Sequence, residues 1–163
     1  MFMNKQINSI IRQMREVHDG LIWAGTSYNK RLSELNENEL FVRPLPSVHS
    51  IAEIIAHIIS WRKDTILKIK TGRGELTDSN PNNWRLNDDL KSSGWEKIRE
   101  EDNNTLLELF QLLQDKDDTF LNELYYDPEF KGNYPYSFVL EGMLHHDIYH
   151  LGQIGLVIKL LKE

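Results

Sequence analysis

Leu144-His145-His146-Asp147-Ile148-Tyr149-His150-Leu151-Gly152-Gln153-Ile154 is the stretch on which the reading of the fold turns. Around it Phe138, Val139, Met143, Leu144, Ile148, Ile154, Val157, Ile158 and Leu161 recur at spacings of three and four, the period of a helix. No proline interrupts residues 137–163. Such a helix puts His146 and His150, four residues apart, on one face and about one turn from each other. Two imidazoles so placed can point at one metal ion.

Three more helical stretches lie upstream. The first runs from about Asn4 to Leu35, with Ile7, Ile10, Ile11, Met14, Val17, Leu21, Ile22 and Tyr28 as its apolar stripe. Gly20 and Gly25 weaken it, so a bend or break is expected there. A polar loop with Pro44 and Pro46 follows. The second helix opens at Ser50-Ile51-Ala52-Glu53, which has the form of a capping box. It carries Ile54, Ile55, Ile58, Ile59 and Ile66 and ends at Thr71-Gly72-Arg73-Gly74. From Gly72 to about Lys91 no period is visible, and a long connection is expected, pinned by Trp84 and Trp95. Ser93-Gly94-Trp95-Glu96 again fits a capping box. The third helix either runs from there through Asn103-Asn104 or restarts after them, and extends through Phe120, Leu121 and Leu124. Asp127-Pro128 and Lys131-Gly132-Asn133 mark a loop before the fourth helix near Ser137. No strand pair with a hairpin turn is read. Four amphipathic helices in a single domain, residues 1–163, predict an all-α four-helix bundle. The long second connection leaves room for a crossover, so the second and third helices need not be antiparallel neighbours.

Bulk composition narrows the function. The net charge of −6 and a pI near 5.5 argue against broad nucleic-acid binding, which shows a basic footprint. The chain has no cysteine, which removes disulfides, thiolate metal sites and cysteine nucleophiles. Any metal must then be held by nitrogen and oxygen ligands. Absence of cysteine fits a reducing cytoplasm. From Met1-Phe2-Met3-Asn4-Lys5-Gln6 onward no leader is read, and no apolar run approaches the ~20 residues that span a bilayer. The expectation is a cytoplasmic protein with neither nucleic acid nor membrane as partner.

A catalytic site of the zinc type takes three protein ligands and keeps one position open. His146 and His150 supply two, and only Glu163 follows them as a further ligand-capable group. His57, in the middle of the apolar second helix, is the best candidate for the third. A hydrogen-bonded core histidine is the alternative at that position, because periodicity does not show which helices face each other. Glu53 and Asp64 share the face of His57; they read as cap partner and polar helix residue, so catalytic residues are left unassigned. Gln153 lies on the face of His146 and His150, either to bond the imidazole of His57 or as a satisfied core polar group. A His-Glu-x-x-His protease is disfavoured, since Asp147 stands where the glutamate would. His145 points away from His146, and His18 and His49 read as peripheral. The four tryptophans read as core or staple residues, and Tyr149 as a rim residue.

The run His146–Ile154 resembles the last-helix signature of the DinB/YfiT-like superfamily. Ser50-Ile51-Ala52-Glu53-Ile54-Ile55-Ala56-His57-Ile58 resembles its second-helix motif, and the resemblance covers almost the whole chain. It implies an up-down-down-up four-helix bundle with a long crossover between helices 2 and 3. It also implies a divalent metal (nickel, zinc or iron) on three histidines, which by position are His57, His146 and His150. The family includes thiol-dependent S-transferases, a thiol-dependent maleylpyruvate isomerase and members described as metal-dependent hydrolases. The expected function is therefore a metal-dependent transferase or hydrolase acting on a small molecule, with a low-molecular-weight thiol as candidate cosubstrate. The other class is a non-catalytic metal-binding or structural bundle. The isoleucine-rich second helix suggests a homodimer.

Overall fold

Ser50 opens the second long helix as its sequence requires. The computed structural model, which describes residues 4–163, shows both halves of the capping box: Glu53 N–H donates to Ser50 Oγ at 3.2 Å, and Ser50 N–H donates to Glu53 Oε2 at 2.8 Å. Met1, Phe2 and Met3, the start of the segment searched for a leader, lie outside that range. In chain order the helices are α1 (Lys5–Asp19), α2 (Tyr28–Leu32), α3 (Ile51–Thr71), α4 (Asn87–Ser93), α5 (Trp95–Gln114) and α6 (Tyr136–Lys162). Strands β1 (Leu124–Asp127) and β2 (Gly132–Pro135) stand between α5 and α6. α3 ends at Gly72, whose φ of 75° is the left-handed conformation that glycine adopts without strain.

The directions of the four long helices follow from their contacts. Lys63 pairs with Glu101 and Lys70 with Glu108, so α3 and α5 advance together and are parallel. His57 meets His146 while the Tyr136 hydroxyl donates to the Lys68 carbonyl, so α6 runs against α3. His18 meets Asp102 while Arg15 stacks on Phe110, so α1 runs against α5. The order is up, down, down, up. Two parallel neighbours need a crossover, and residues 72–94 provide it.

Isoleucines 54, 55, 58, 59 and 66 are all buried within this one chain. Burying each removes enough apolar area for about 1.5–3 kcal/mol. They need no partner subunit, so the expected homodimer loses the argument that suggested it.

Four expectations are corrected. The first helix does break at Gly20 as expected, but it does not resume to Leu35: α1 ends at Asp19, and only the short α2 follows. At Gly20 the backbone turns so closely that a Cβ would sit 2.6 Å from Glu16 Cα. The Ser93–Glu96 box does not form; Gly94 at φ 85° joins α4 to α5, which then runs unbroken through Asn103-Asn104. α5 stops at Gln114, and Phe120 and Leu121 bury themselves from a separate turn of 3-10 helix. Finally, β1 and β2 form an antiparallel hairpin with Tyr125 opposite Tyr134. Its Asp127 side chain holds the turn by accepting from the N–H groups of Glu129 and Phe130. The hairpin docks on the start of the crossover through Gly74 N–H to Tyr126 O and Tyr126 N–H to Gly72 O.

Candidate metal centre

Antiparallel packing of α3 on α6 brings His57 against His146 and His150. The Nε2 atoms converge: His57 to His146 is 3.1 Å and His150 to His146 is 3.0 Å. Each residue offers a ligand atom within 4.8 Å of the others. Two nitrogens on a tetrahedral ion at ~2.0–2.1 Å stand about 3.3 Å apart, so the two pairs at His146 fit one ion within a few tenths of an ångström, and the His57–His150 pair lies within 4.8 Å.

The outer nitrogens fix the tautomers. His57 Nδ1 faces the Asn83 carbonyl at 3.0 Å, and a carbonyl only accepts, so the proton is on Nδ1. His150 Nδ1 faces Gln153 Oε1 at 2.6 Å with the same result. Both Nε2 lone pairs are therefore free and aimed inward. His146 Nδ1 is buried without a hydrogen-bond partner among the described residues. A proton on His146 Nε2 can serve one neighbour only, which leaves the third imidazole unsatisfied. A cation at the convergence point satisfies all three, and the residues present fit one.

Electrostatics agree. Burial, then the neighbouring histidines, lowers the pKa of His146 to about 3. Burial and His57 lower that of His150 to about 4. Burial likewise lowers that of His57, against the pull of Asn83. All three are neutral at pH 7, the form that ligates metal.

The crossover completes the surroundings. Asn83 Oδ1 accepts from Trp61 Nε1 at 2.9 Å, so this one residue fixes both His57 and Trp61. Trp84 lies flat between His57 at 3.9 Å and His49 at 3.8 Å. Periodicity cannot find such supporting groups in an irregular segment; its Asn-rich composition is the only signal. A cavity of about 850 Å³ opens in front of the histidines, walled by Trp61, Trp84, Phe130, Phe138 and Tyr149. It lies within the size range of small-molecule sites.

Other candidates fall outside. Gln153 bonds His150, not His57. Glu53 is buried under Arg43, which with the Ser50 N–H holds its carboxyl below the usual range despite burial. Asp64 accepts from the N–H groups of Glu75 and Leu76 and pairs with Lys68. Asp147 turns away from the cavity toward Arg62, which removes the protease reading. His49 and His18 do not join the triad, yet neither is idle. His49 covers Trp84, and His18 is buried 3.1 Å from Asp102 Oδ2. Trp61 and Trp84 are cavity walls rather than core, whereas Trp23 is fully exposed. Of the crossover residues, Asn83 and Trp84 line the cavity, while Arg85 pairs with Glu101 on α5.

Comparison with known proteins places the fold. A DinB-like protein, YjoA from Bacillus subtilis, superposes with a TM-score of 0.64 at 14% identity, covering 98% of this chain and 93% of that one. YfiT from Bacillus subtilis, a probable metal-dependent hydrolase with an unusual four-helix bundle topology, gives 0.61 at 11% identity over 98% and 89%. A mycothiol-dependent maleylpyruvate isomerase gives 0.64 at 12% identity; 93% of this chain matches 60% of that protein. At such identities these likenesses show the fold alone. A search of curated proteins gave no sequence match. The sequence profile of the DinB superfamily matches residues 21–154. The chain belongs to the DinB superfamily.

Proposed function

We propose that this protein is a metal-dependent enzyme in which His57, His146 and His150 hold one divalent cation and a small molecule reacts in the adjoining cavity. The observation that carries this is the convergence of three neutral imidazoles at the wall of an 850 Å³ cavity. A closed structural site would have a fourth protein ligand. Among the described residues the cluster holds only these three. Nickel, zinc and iron all suit imidazole ligands. When bound, the cation would supply Lewis acidity to a thiol or a water at the open position.

Between the two chemistries, we favour thiol transfer on the size of the cavity. A hydrolase calls for a base beside the histidines; Glu53 and Asp147 are buried in other pairs, which leaves Asp78, Glu129 and Glu141 of the cavity lining as the carboxylates for that role. The cavity is wide enough for a cosubstrate and an electrophile together. A thiol cosubstrate belongs to a reducing compartment, so this reading carries a cytoplasmic location with it. No helix among the described residues is long and apolar enough to cross a membrane.

The test is spectroscopic. The cobalt- or nickel-loaded protein should develop a thiolate charge-transfer band on titration with glutathione, cysteine, coenzyme A or bacillithiol, and should then turn over a generic electrophile. Metal-dependent ester or amide cleavage with no band from any thiol would instead establish the hydrolase. Neither signal would leave a non-catalytic bundle.

A further inference from the structure

The outward side of α6 lacks the charges that a helix ordinarily shows to water. From Gly142 to Ile158 the one residue among Asp, Glu, Lys and Arg is Asp147, which is buried. Opposite the inward Leu140, Asp147 and Ile154, the helix presents Phe138, Gly142, His145, Tyr149, Gly152 and Leu156. Their spacings alternate between four and three, which is the seam of a coiled coil. Phe138, Tyr149 and Leu156 are 42%, 63% and 58% exposed. Ile148 widens the patch on one flank, where it shares a groove with the exposed Leu21 and Trp23. An apolar patch of this extent on a single chain marks an interaction surface.

The two glycines of the seam serve no contact inside this chain. Among the described residues, a Cβ on Gly142 or Gly152 would meet nothing within 4 Å beyond the helix's own backbone. Glycine inside a helix costs about 1 kcal/mol relative to alanine. Close approach of a second helix would give both of them a purpose.

The order of the seam selects what approaches. Read from either end it runs large apolar, glycine, polar ring, polar ring, glycine, large apolar. Laid antiparallel on a second α6 about a midpoint at Asp147, Phe138 stands opposite the partner's Leu156. Gly142 then stands opposite the partner's Gly152, and His145 opposite the partner's Tyr149. This is the condition for a two-fold interface, in which residue i meets j and j meets i. Charge agrees. The chain carries a net charge of −6, so two copies meet most readily on a face without carboxylates, and an anionic lipid surface is a poor match for the same face.

We propose that two copies of this chain pair antiparallel along this face of α6, with the two-fold axis at the level of Asp147. His145 and Tyr149 line the cavity, so each copy adds a side to the mouth of the other's cavity. The pairing itself needs no metal and stands apart from the metal reading.

Sedimentation equilibrium of the metal-free, full-length protein tests it. Across the micromolar range the species should have twice the 19.2 kDa mass of the chain. Leu156→Glu puts a carboxylate from each copy into the seam and should weaken association by about tenfold or more. Leu156 is exposed in the single chain, so the helix content read by circular dichroism should not change. Register is read by cross-linking, because the chain has no cysteine of its own. Phe138→Cys and Leu156→Cys, equilibrated together, should form a disulfide with each other under mild oxidation. Neither should cross-link to itself, since like positions are then about 27 Å apart. A species of one chain mass throughout the range would overturn the proposal. So would a dimer indifferent to Leu156→Glu, or self-cross-linking of either cysteine variant. A monomer that binds phosphatidylcholine–phosphatidylserine vesicles would overturn it too and assign the face to a membrane.

Discussion

Replacing Arg62 with alanine is expected to cost about 3–5 kcal/mol of folding stability, the usual result of removing one partner from a buried ion pair. Arg62 is 1% exposed on α3 and reaches two other long helices. Its guanidinium donates to Asp102 Oδ1 at 2.7 Å and to Thr105 Oγ1 at 3.3 Å on α5, and lies 3.9 Å from Asp147 Oδ2 on α6. Asp102 in turn meets His18 on α1, so one buried network joins all four long helices. Tyr28 of α2 adds a hydrogen bond to the Asp147 carbonyl at 2.5 Å. Asp102 resists ionisation through burial, yet Arg62 and His18 lower its pKa to about 2. Without Arg62, two buried carboxylates face each other with no guanidinium between them. Urea denaturation at pH 7 measures the loss. A deficit below about 1 kcal/mol would mean the network contributes little. Because Asp147 adjoins His146, the same network sets the register of α6 at the histidine cluster.

Acidification should destabilise the metal-free protein by about 2 kcal/mol between pH 6.5 and pH 5. The sign follows from proton uptake. His146 and His150 titrate at about 3 and about 4 when folded, but near 6.5 when unfolded. Through this window the unfolded chain binds more protons, so stability falls as pH falls, by about 1.5 kcal/mol for each histidine. Asp147 acts in the opposite direction. Burial, partly offset by Arg62, raises its folded pKa to about 6, so the folded state takes up that proton first and recovers about 1 kcal/mol. Chemical denaturation of the chelator-treated protein across pH 5–7 gives the slope. A flat profile would mean that the histidines are solvated and free to protonate in the fold.

The residues differ in how much they disclose alone. His146 and His150 share a face by helical period, and the caps at Ser50 and Gly72 bound α3 to the residue. His57 can be nominated from sequence but not placed, because facing between helices is a tertiary fact. The supporting acceptors, Asn83 O on His57 and Gln153 Oε1 on His150, depend on backbone conformation and rotamer. The helical period puts Gln153 on the correct face but does not choose its partner. The hairpin is hard to see in sequence because Leu124–Asp127 is too short to show alternation, and its turn needs Lys131 at φ 53° rather than a glycine. His18 reads as peripheral from its place at the end of α1; its burial follows from α5 presenting Asp102 opposite it.

Titration of the purified, chelator-stripped protein with nickel or zinc tests the central claim most directly. One ion per chain should bind, and at a hundred times the dissociation constant it should add about 2.7 kcal/mol of stability. For a chain of this length that raises the melting temperature by roughly 5–10 °C. His150→Ala should remove most of the rise. An equal rise in wild type and in the His57→Ala, His146→Ala, His150→Ala triple variant would contradict the assignment, because the ion would then be held elsewhere.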